Sequence, residues 1–184
     1  ACQMATASDA AKQMIEAAVC RLNLDGGLPA KVFGGTDVSY KANDLLLEYL
    51  YVMEVRLAQG HWADFVRSMT PALTELMRRK LNEYLPEEKY STQSRDKVSY
   101  IFNADAVRTD ERLSRTLSWC QKRYEEEGYL ESGHYSCLLR EYCEDQPVKN
   151  TILQLRNAEK NCRNSLAHTL KASSKAALER SCSM

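Results

Sequence analysis

The sequence predicts an all-α protein, a bundle of helices around one core. Three observations lead there. Apolar residues recur at steps of three and four along most of the 184 residues, the period of a helix face and not the alternation of a strand. Only 4 Pro and 7 Gly punctuate the chain, too few for a fold built on many tight turns. Runs of β-branched residues are scarce, which removes the strongest strand signal. A chain of this length can bury a well-formed core.

The elements follow in order. Ser8 is placed to N-cap a helix over about 8–22, with Met14, Ile15, Ala18, Val19 and Leu22 on its inward face. Asp25-Gly26-Gly27, Pro29 and Gly34-Gly35 mark 23–35 as a loop. Residues 44–59 are apolar nearly all round, the pattern of a central bundle helix. Gly60 stands where that helix needs its C-cap. Trp62, Phe65, Val66, Met69, Leu73, Leu76, Met77 and Leu81 then form a second long stripe, which Pro71 should kink or restart. Arg78-Arg79-Lys80 reads as a solvated helix end, with contact to RNA backbone as the alternative.

The pattern is weakest over 85–110. Pro86-Glu87-Glu88 marks a loop, and 98–102 fits either a short helix or an extended segment. Asp110 caps a helix carrying Leu113, Leu117, Cys120 and Tyr124, ended by Gly128. Ser132 opens another with Tyr135, Leu138, Leu139, Tyr142 and Cys143. After Pro147, 148–170 reads as one long helix. Ser173-Ser174 caps a last short helix to about residue 180.

Charge and cysteines narrow the function. Net charge is zero, so no broad basic field advertises nucleic-acid affinity. A nucleic-acid enzyme of this composition needs a local basic groove or a separate recruiting domain. The seven cysteines are odd in number, scattered and without a C-x-x-C pair. They fit reduced thiols in a cytoplasmic protein better than a disulfide framework. His134, Cys137 and Cys143 lack zinc-ligand spacing, so no metal and no cofactor are expected. No signal peptide or membrane-spanning segment is legible, and the chain does not begin with Met.

The chemistry concentrates in Arg163-Asn164-Ser165-Leu166-Ala167-His168. A guanidinium offers forked donors to phosphate oxygens. Five residues on, an imidazole can take or give a proton near neutral pH. Spacing alone decides nothing, because Arg56-Leu57-Ala58-Gln59-Gly60-His61 repeats it. That earlier copy reads as structural: Arg56 ends an apolar helix, Gly60 caps it, and His61 begins the next. The later copy is distinguished by a polar stripe. Asn157, Asn161, Asn164 and His168 follow at steps of four, three and four, on one helix face. Asn is a poor helix former, so the stripe suits a face that meets another surface, such as a second copy across a two-fold. Arg163 lies about 140° round from His168 on an ideal helix, so one helix does not clamp a phosphate with both. Glu159, four residues before Arg163, leaves open that this arginine is half of an exposed ion pair.

Two segments resemble the HEPN domain of the CRISPR-associated ribonucleases of type III-A systems, the CARF–HEPN family. One runs from Asn43-Asp44-Leu45-Leu46-Leu47-Glu48-Tyr49-Leu50-Tyr51 on to Gln59-Gly60-His61-Trp62-Ala63-Asp64-Phe65-Val66-Arg67 and Thr70-Pro71. The other is Leu155-Arg156-Asn157 with Arg163-Asn164-Ser165-Leu166-Ala167-His168. The resemblance implies a HEPN-type helical bundle, dimeric through the motif helix. It implies metal-independent cleavage of single-stranded RNA, by 2′-OH attack that leaves 2′,3′-cyclic phosphate ends. Both copies of Arg163, Asn164 and His168 would line one cleft: Arg163 on phosphate charge, His168 on proton transfer, Asn164 in positioning. Asn157 and Asn161 are the candidate substrate-binding residues.

In such proteins a CARF domain binds cyclic oligoadenylate. A Rossmann-like sensor needs strands and about 150 further residues, so this chain is expected to be the effector part. Its own organisation is expected to be an N-terminal helix and linker over 1–43 and the ribonuclease domain over 44–184. Two other readings use the same residues: a HEPN toxin of a toxin–antitoxin pair, and a catalytically silent dimerisation module.

Overall fold

A computed structural model describes Lys12, Ile15, Glu16 and Val19, then residues 45–94, 99–120 and 128–167, the side chains of 164–167 excepted. The chain divides into two compact units, Ala1–His61 and Trp62–Met184. The division falls after His61, whereas the sequence suggested a boundary near residue 43.

In the first unit, Lys12, Ile15, Glu16 and Val19 are helical and exposed. Ile15 and Val19 were expected to face inward and do not. Ser8, Met14, Ala18, Leu22 and the 23–35 loop lie outside the described residues. Helix α1 spans Leu45–Ala58. It buries Glu48, Val52 and Met53, while Leu45, Leu50, Tyr51, Val55 and Leu57 are exposed. It is therefore not a helix buried on all sides. High apolar content fixes its helicity, but a helix buries only the stripe that meets a neighbour.

Its end follows the expected chemistry. Gly60 adopts φ 76°, a left-handed conformation that a residue without Cβ takes at no steric cost. The Gly60 N–H donates to the Leu57 carbonyl at 3.1 Å, and the His61 N–H to the Arg56 carbonyl at 2.9 Å. Those two bonds form a Schellman cap.

The second unit starts with α2, Trp62–Leu81. Val66, Leu73, Met77 and Leu81 of its stripe are buried, but Leu76 is exposed, because it falls off the face that meets the neighbouring helices. The helix runs through Pro71, where a restart was one of two expectations. Pro71 is exposed, as is Arg67 four residues earlier. The carbonyl left without an N–H partner therefore lies on the hydrated side, where its loss is cheapest. A 3-10 turn, Glu87–Lys89, leads to a two-stranded antiparallel sheet, β1 Ser91–Gln93 and β2 Tyr100–Phe102. Its register pairs Ser91 with Phe102 and Gln93 with Tyr100. Residues 98–102 thus include a strand, the minor β element of a helical protein.

Two short helices follow with side-chain caps. Asn103 accepts from the Ala106 N–H and starts α3, Ala104–Thr109. Asp110 accepts from the Leu113 N–H at 3.0 Å and starts α4, Glu111–Ser118. The Asp110 cap is as expected, but α4 stops at Ser118. Tyr124 lies outside the described residues. Helix α5, Ser132–Tyr142, and α6, Gln146–Ala167, complete the described part.

Helices α2, α5 and α6 pack against one another, and α4 packs on α5. Their inward faces meet in one core that includes Met77, Leu81, Leu113, Leu117, Tyr135, Leu138, Leu139 and Ile152. Tyr90 and Tyr135 meet edge to face there, ring centroids 6.1 Å apart. Among the described residues no helix is long and apolar enough to cross a membrane.

Candidate active site

Helix α6 carries the candidate residues, and its start is well determined. The Asp145 carboxylate accepts from the Val148 N–H at 3.1 Å. Pro147 occupies the first turn, where its missing N–H costs nothing. Ile152, Glu159 and Cys162 are buried along the inward face. Two anchors then hold the segment before the motif.

The first anchor is Glu159, 1 % exposed. Its carboxylate accepts from the Thr70 hydroxyl of α2 at 2.6 Å and from the Ser132 hydroxyl of α5 at 3.3 Å. It also pairs with the Arg156 guanidinium one turn earlier. A buried carboxylate is tolerable only with such partners. Glu159 thereby ties α6 to both neighbouring helices. The suggested Glu159–Arg163 pair is not what forms, since this carboxylate points inward to Arg156, Thr70 and Ser132.

The second anchor is Cys162, 1 % exposed, which packs with Val66 against Trp62, Phe65 and Met69. The apolar residues of the Trp62–Thr70 segment therefore sit under the residue next to Arg163. Two stretches about a hundred residues apart in sequence become one assembly.

Arg163 is exposed on the helix that these anchors fix. Among the described residues it makes no ion pair. Asn164 lies within α6, its side chain outside the description, and His168 lies outside the described residues. Asn157 is exposed and Asn161 half-buried. Asn157 lines a groove of about 430 Å³ with Trp119, Arg140, Arg156 and Lys160. The structure thus joins Asn157 to a basic groove that no spacing in the sequence announced, because its lining comes from α4, α5 and α6.

The remaining candidates resolve into structural roles. His134 accepts from the Glu131 N–H at its Nδ1, 3.1 Å away, and so caps α5. Its ring meets Phe102 edge to face at 4.9 Å. Among the described residues no His/Cys/Asp/Glu cluster could hold a metal ion. The Cys120 thiol is pushed up in pKa by its contact with Cys137 and by burial, which keeps it protonated and poorly nucleophilic at neutral pH. The Arg56 carbonyl and the His61 N–H take part in the cap of α1. A spacing of five between Arg and His is there the geometry of a helix end.

The family model described as Cas_Csm6 HEPN domain matches residues 36–184. The chain belongs to that family. A relative is the CRISPR system endoribonuclease Csm6 of Mycobacterium tuberculosis (strain ATCC 25618 / H37Rv), 26 % identical over 162 residues. That alignment covers 88 % of this chain and 37 % of the relative, so the chain spans little more than a third of its relative's length. The matched range, 36–184, takes in Glu159, and Cys162 with the α2 residues packed against it. Glu159 escaped the sequence reading because its partners Thr70 and Ser132 lie far off in sequence, and a carboxylate four before an arginine looks like surface pairing.

Proposed function

We propose that this chain is a metal-independent endoribonuclease domain acting on single-stranded RNA in type III CRISPR antiviral defence, in the cytoplasm. Membership in the Cas_Csm6 HEPN family carries the reading. The exposed Arg163, on a helix clamped at Glu159 and Cys162, supports it.

Two copies of α6 meet across a two-fold, so that two sets of Arg163, Asn164 and His168 face one RNA strand. A ribose 2′-oxygen attacks the adjacent phosphorus, giving up its proton to an imidazole or to water. The bond from phosphorus to the 5′-oxygen breaks, and that oxygen takes a proton. The products are a 2′,3′-cyclic phosphate and a 5′-hydroxyl. Arg163 stabilises the charge that grows on the phosphoryl oxygens, His168 moves a proton, and Asn164 positions the reacting groups. Asn157 and Asn161 bind the strand on the same helix. Control by cyclic oligoadenylate enters through a CARF domain outside this sequence.

The test is cleavage of end-labelled single-stranded RNA in excess chelator. Wild-type chain should cut it to cyclic-phosphate ends. Arg163→Ala and His168→Ala should each lose at least about 100-fold in rate, with helical circular dichroism unchanged. Cleavage at the wild-type rate by His168→Ala would sink the assignment. So would cleavage that needs a divalent cation.

A further inference from the structure

Trp119 is 84 % exposed, although tryptophan is on average among the more buried residue types. A single exposed apolar residue means little on its own. The surroundings make this one informative. Trp119 and Arg140 line two adjoining grooves, of about 430 and 560 Å³. Arg156 and Lys160 line the first, and Arg115 the second. Among the described residues, Arg115, Arg140 and Lys160 make no ion pair. Glu141, a carboxylate that lines the second groove, is engaged by Arg112 at 2.8 Å. Among the described residues, a chain of zero net charge has therefore gathered three cations without an ion pair, Arg115, Arg140 and Lys160, around an open indole face.

The backbone that carries the indole is tied into the helix end. Trp119 ends α4, and its backbone N–H donates to the Arg115 carbonyl at 3.3 Å. Its neighbours Leu117 and Cys120 are buried. Arg156 lies across the opening of α5, its Nη2 3.6 Å from where a side chain on Gly133 would begin. On α6, Lys160 is turned about 40° from Arg156, and Arg163 about 20° the other way. The three cations follow one face over roughly 10 Å of axis, from the groove to the motif.

We propose that Trp119, Arg140, Arg156 and Lys160 form a track for single-stranded RNA beside the motif. A base stacks on the Trp119 indole, and the phosphates follow Arg156 and Lys160 along α6 toward Arg163. Stacking on an aromatic combined with a cationic groove is how unpaired strands are held without sequence readout. The inference takes its ligand from the ribonuclease reading and adds where the strand enters.

Fluorescence anisotropy tests it, with the chain carrying His168→Ala and a labelled single-stranded RNA of roughly twelve nucleotides, within the usual site sizes. Trp119→Ala should weaken binding by about 5-fold or more, and Trp119→Phe should restore most of it. Arg140→Gln and Lys160→Gln should each weaken binding about 3-fold. Each should also reduce the slope of log affinity against log salt by about 0.7. Affinity of Trp119→Ala within 2-fold of its parent overturns the proposal. So does an equal loss on double-stranded RNA, whose bases cannot stack on the indole.

The two readings fail separately. A wild-type chain that cuts RNA while Trp119→Ala binds and cuts like it removes the track and keeps the nuclease. A wild-type chain that cuts nothing while Trp119→Ala loses binding removes the nuclease and keeps the track.

Discussion

Two groups of basic residues in the second unit have opposite fates. Arg78, Arg79 and Lys80 are consecutive and end α2, so in sequence they look like the basic patch of the protein. In the fold they are largely spent. Arg78 donates to Glu75 at 2.7 Å and to Glu87 at 2.6 Å, and lies over the Tyr100 ring at 4.8 Å. Arg79 pairs with Glu75 and Lys80 with Glu83. Arg115, Arg140, Arg156 and Lys160 are scattered over 46 positions, yet they converge around Trp119. Local charge density in sequence is a poor guide to field, because helix neighbours three and four residues away can cancel it. A usable cationic surface arises where the fold brings cations together without their carboxylates.

Arg156 belongs to both patterns, since it lines the groove while paired to the buried Glu159. The largest effect should come from breaking that junction. Glu159→Gln removes the charge and keeps the shape. It leaves Arg156 without its counter-ion, and it weakens the bonds to Thr70 and Ser132. Removing one partner of a buried pair costs about 3–5 kcal/mol. Arg156 keeps 21 % of its side-chain surface in water, so about 2–4 kcal/mol is expected. For a domain of this size that is a fall in Tm of roughly 5–12 °C, read by calorimetry. A second change, Arg156→Gln, should recover part of the loss. If Glu159→Gln leaves Tm unmoved, Glu159 is not the anchor of the motif helix.

This difference also shows what the sequence could and could not reveal. Helix periodicity placed α1, α2, α5 and α6, and local cap chemistry placed Gly60 and Asp110, because each depends on residues within one or two turns. The candidate motif was legible for the same reason, as six consecutive residues. Partners that come from different helices left no local trace. Glu159 with Thr70 and Ser132, and Trp119 with Arg140 and Lys160, are pairings of tertiary structure. Over 85–110 short elements with side-chain caps replace periodicity, and three residues per strand are too few to alternate visibly. The exposed leucines of α1 failed for a related reason. An apolar sequence fixes how much of a helix wants burial and not which neighbour supplies it.

A smaller effect should appear in acid. Burial pushes the Glu75 carboxyl up, but hydrogen bonds and charge from Arg78 and Arg79 outweigh it and leave its pKa below the ordinary 4.5. A depressed carboxylate contributes stability that is fully present above its unfolded pKa. That contribution is lost as pH falls through 4.5 toward the folded value. Glu75 keeps 31 % of its side-chain surface exposed, so screening holds its share to about 1 kcal/mol. Chemical denaturation of wild type and Glu75→Gln should therefore differ at pH 7 and converge below about pH 4. A constant gap across that range would mean that Glu75 stabilises by packing and not by charge.

The smallest expected effect is the sharpest test of the contrast. Arg79→Gln removes an exposed cation whose partner, Glu75, already cancels it at 2.7 Å. Arg78 still donates to Glu75 at 2.7 and 2.9 Å, so the carboxylate that Arg79 leaves keeps a partner. Affinity for single-stranded RNA should change by less than about 1.5-fold, and its salt dependence should not move, because a cation that releases no counter-ions from RNA adds nothing to that slope. Lys160→Gln removes the same formal charge from the groove and should do both. Equal losses from the two substitutions would mean that RNA responds to the overall charge of the domain. The distinction between a cancelled cluster at the end of α2 and an open one around Trp119 would then have no bearing on binding.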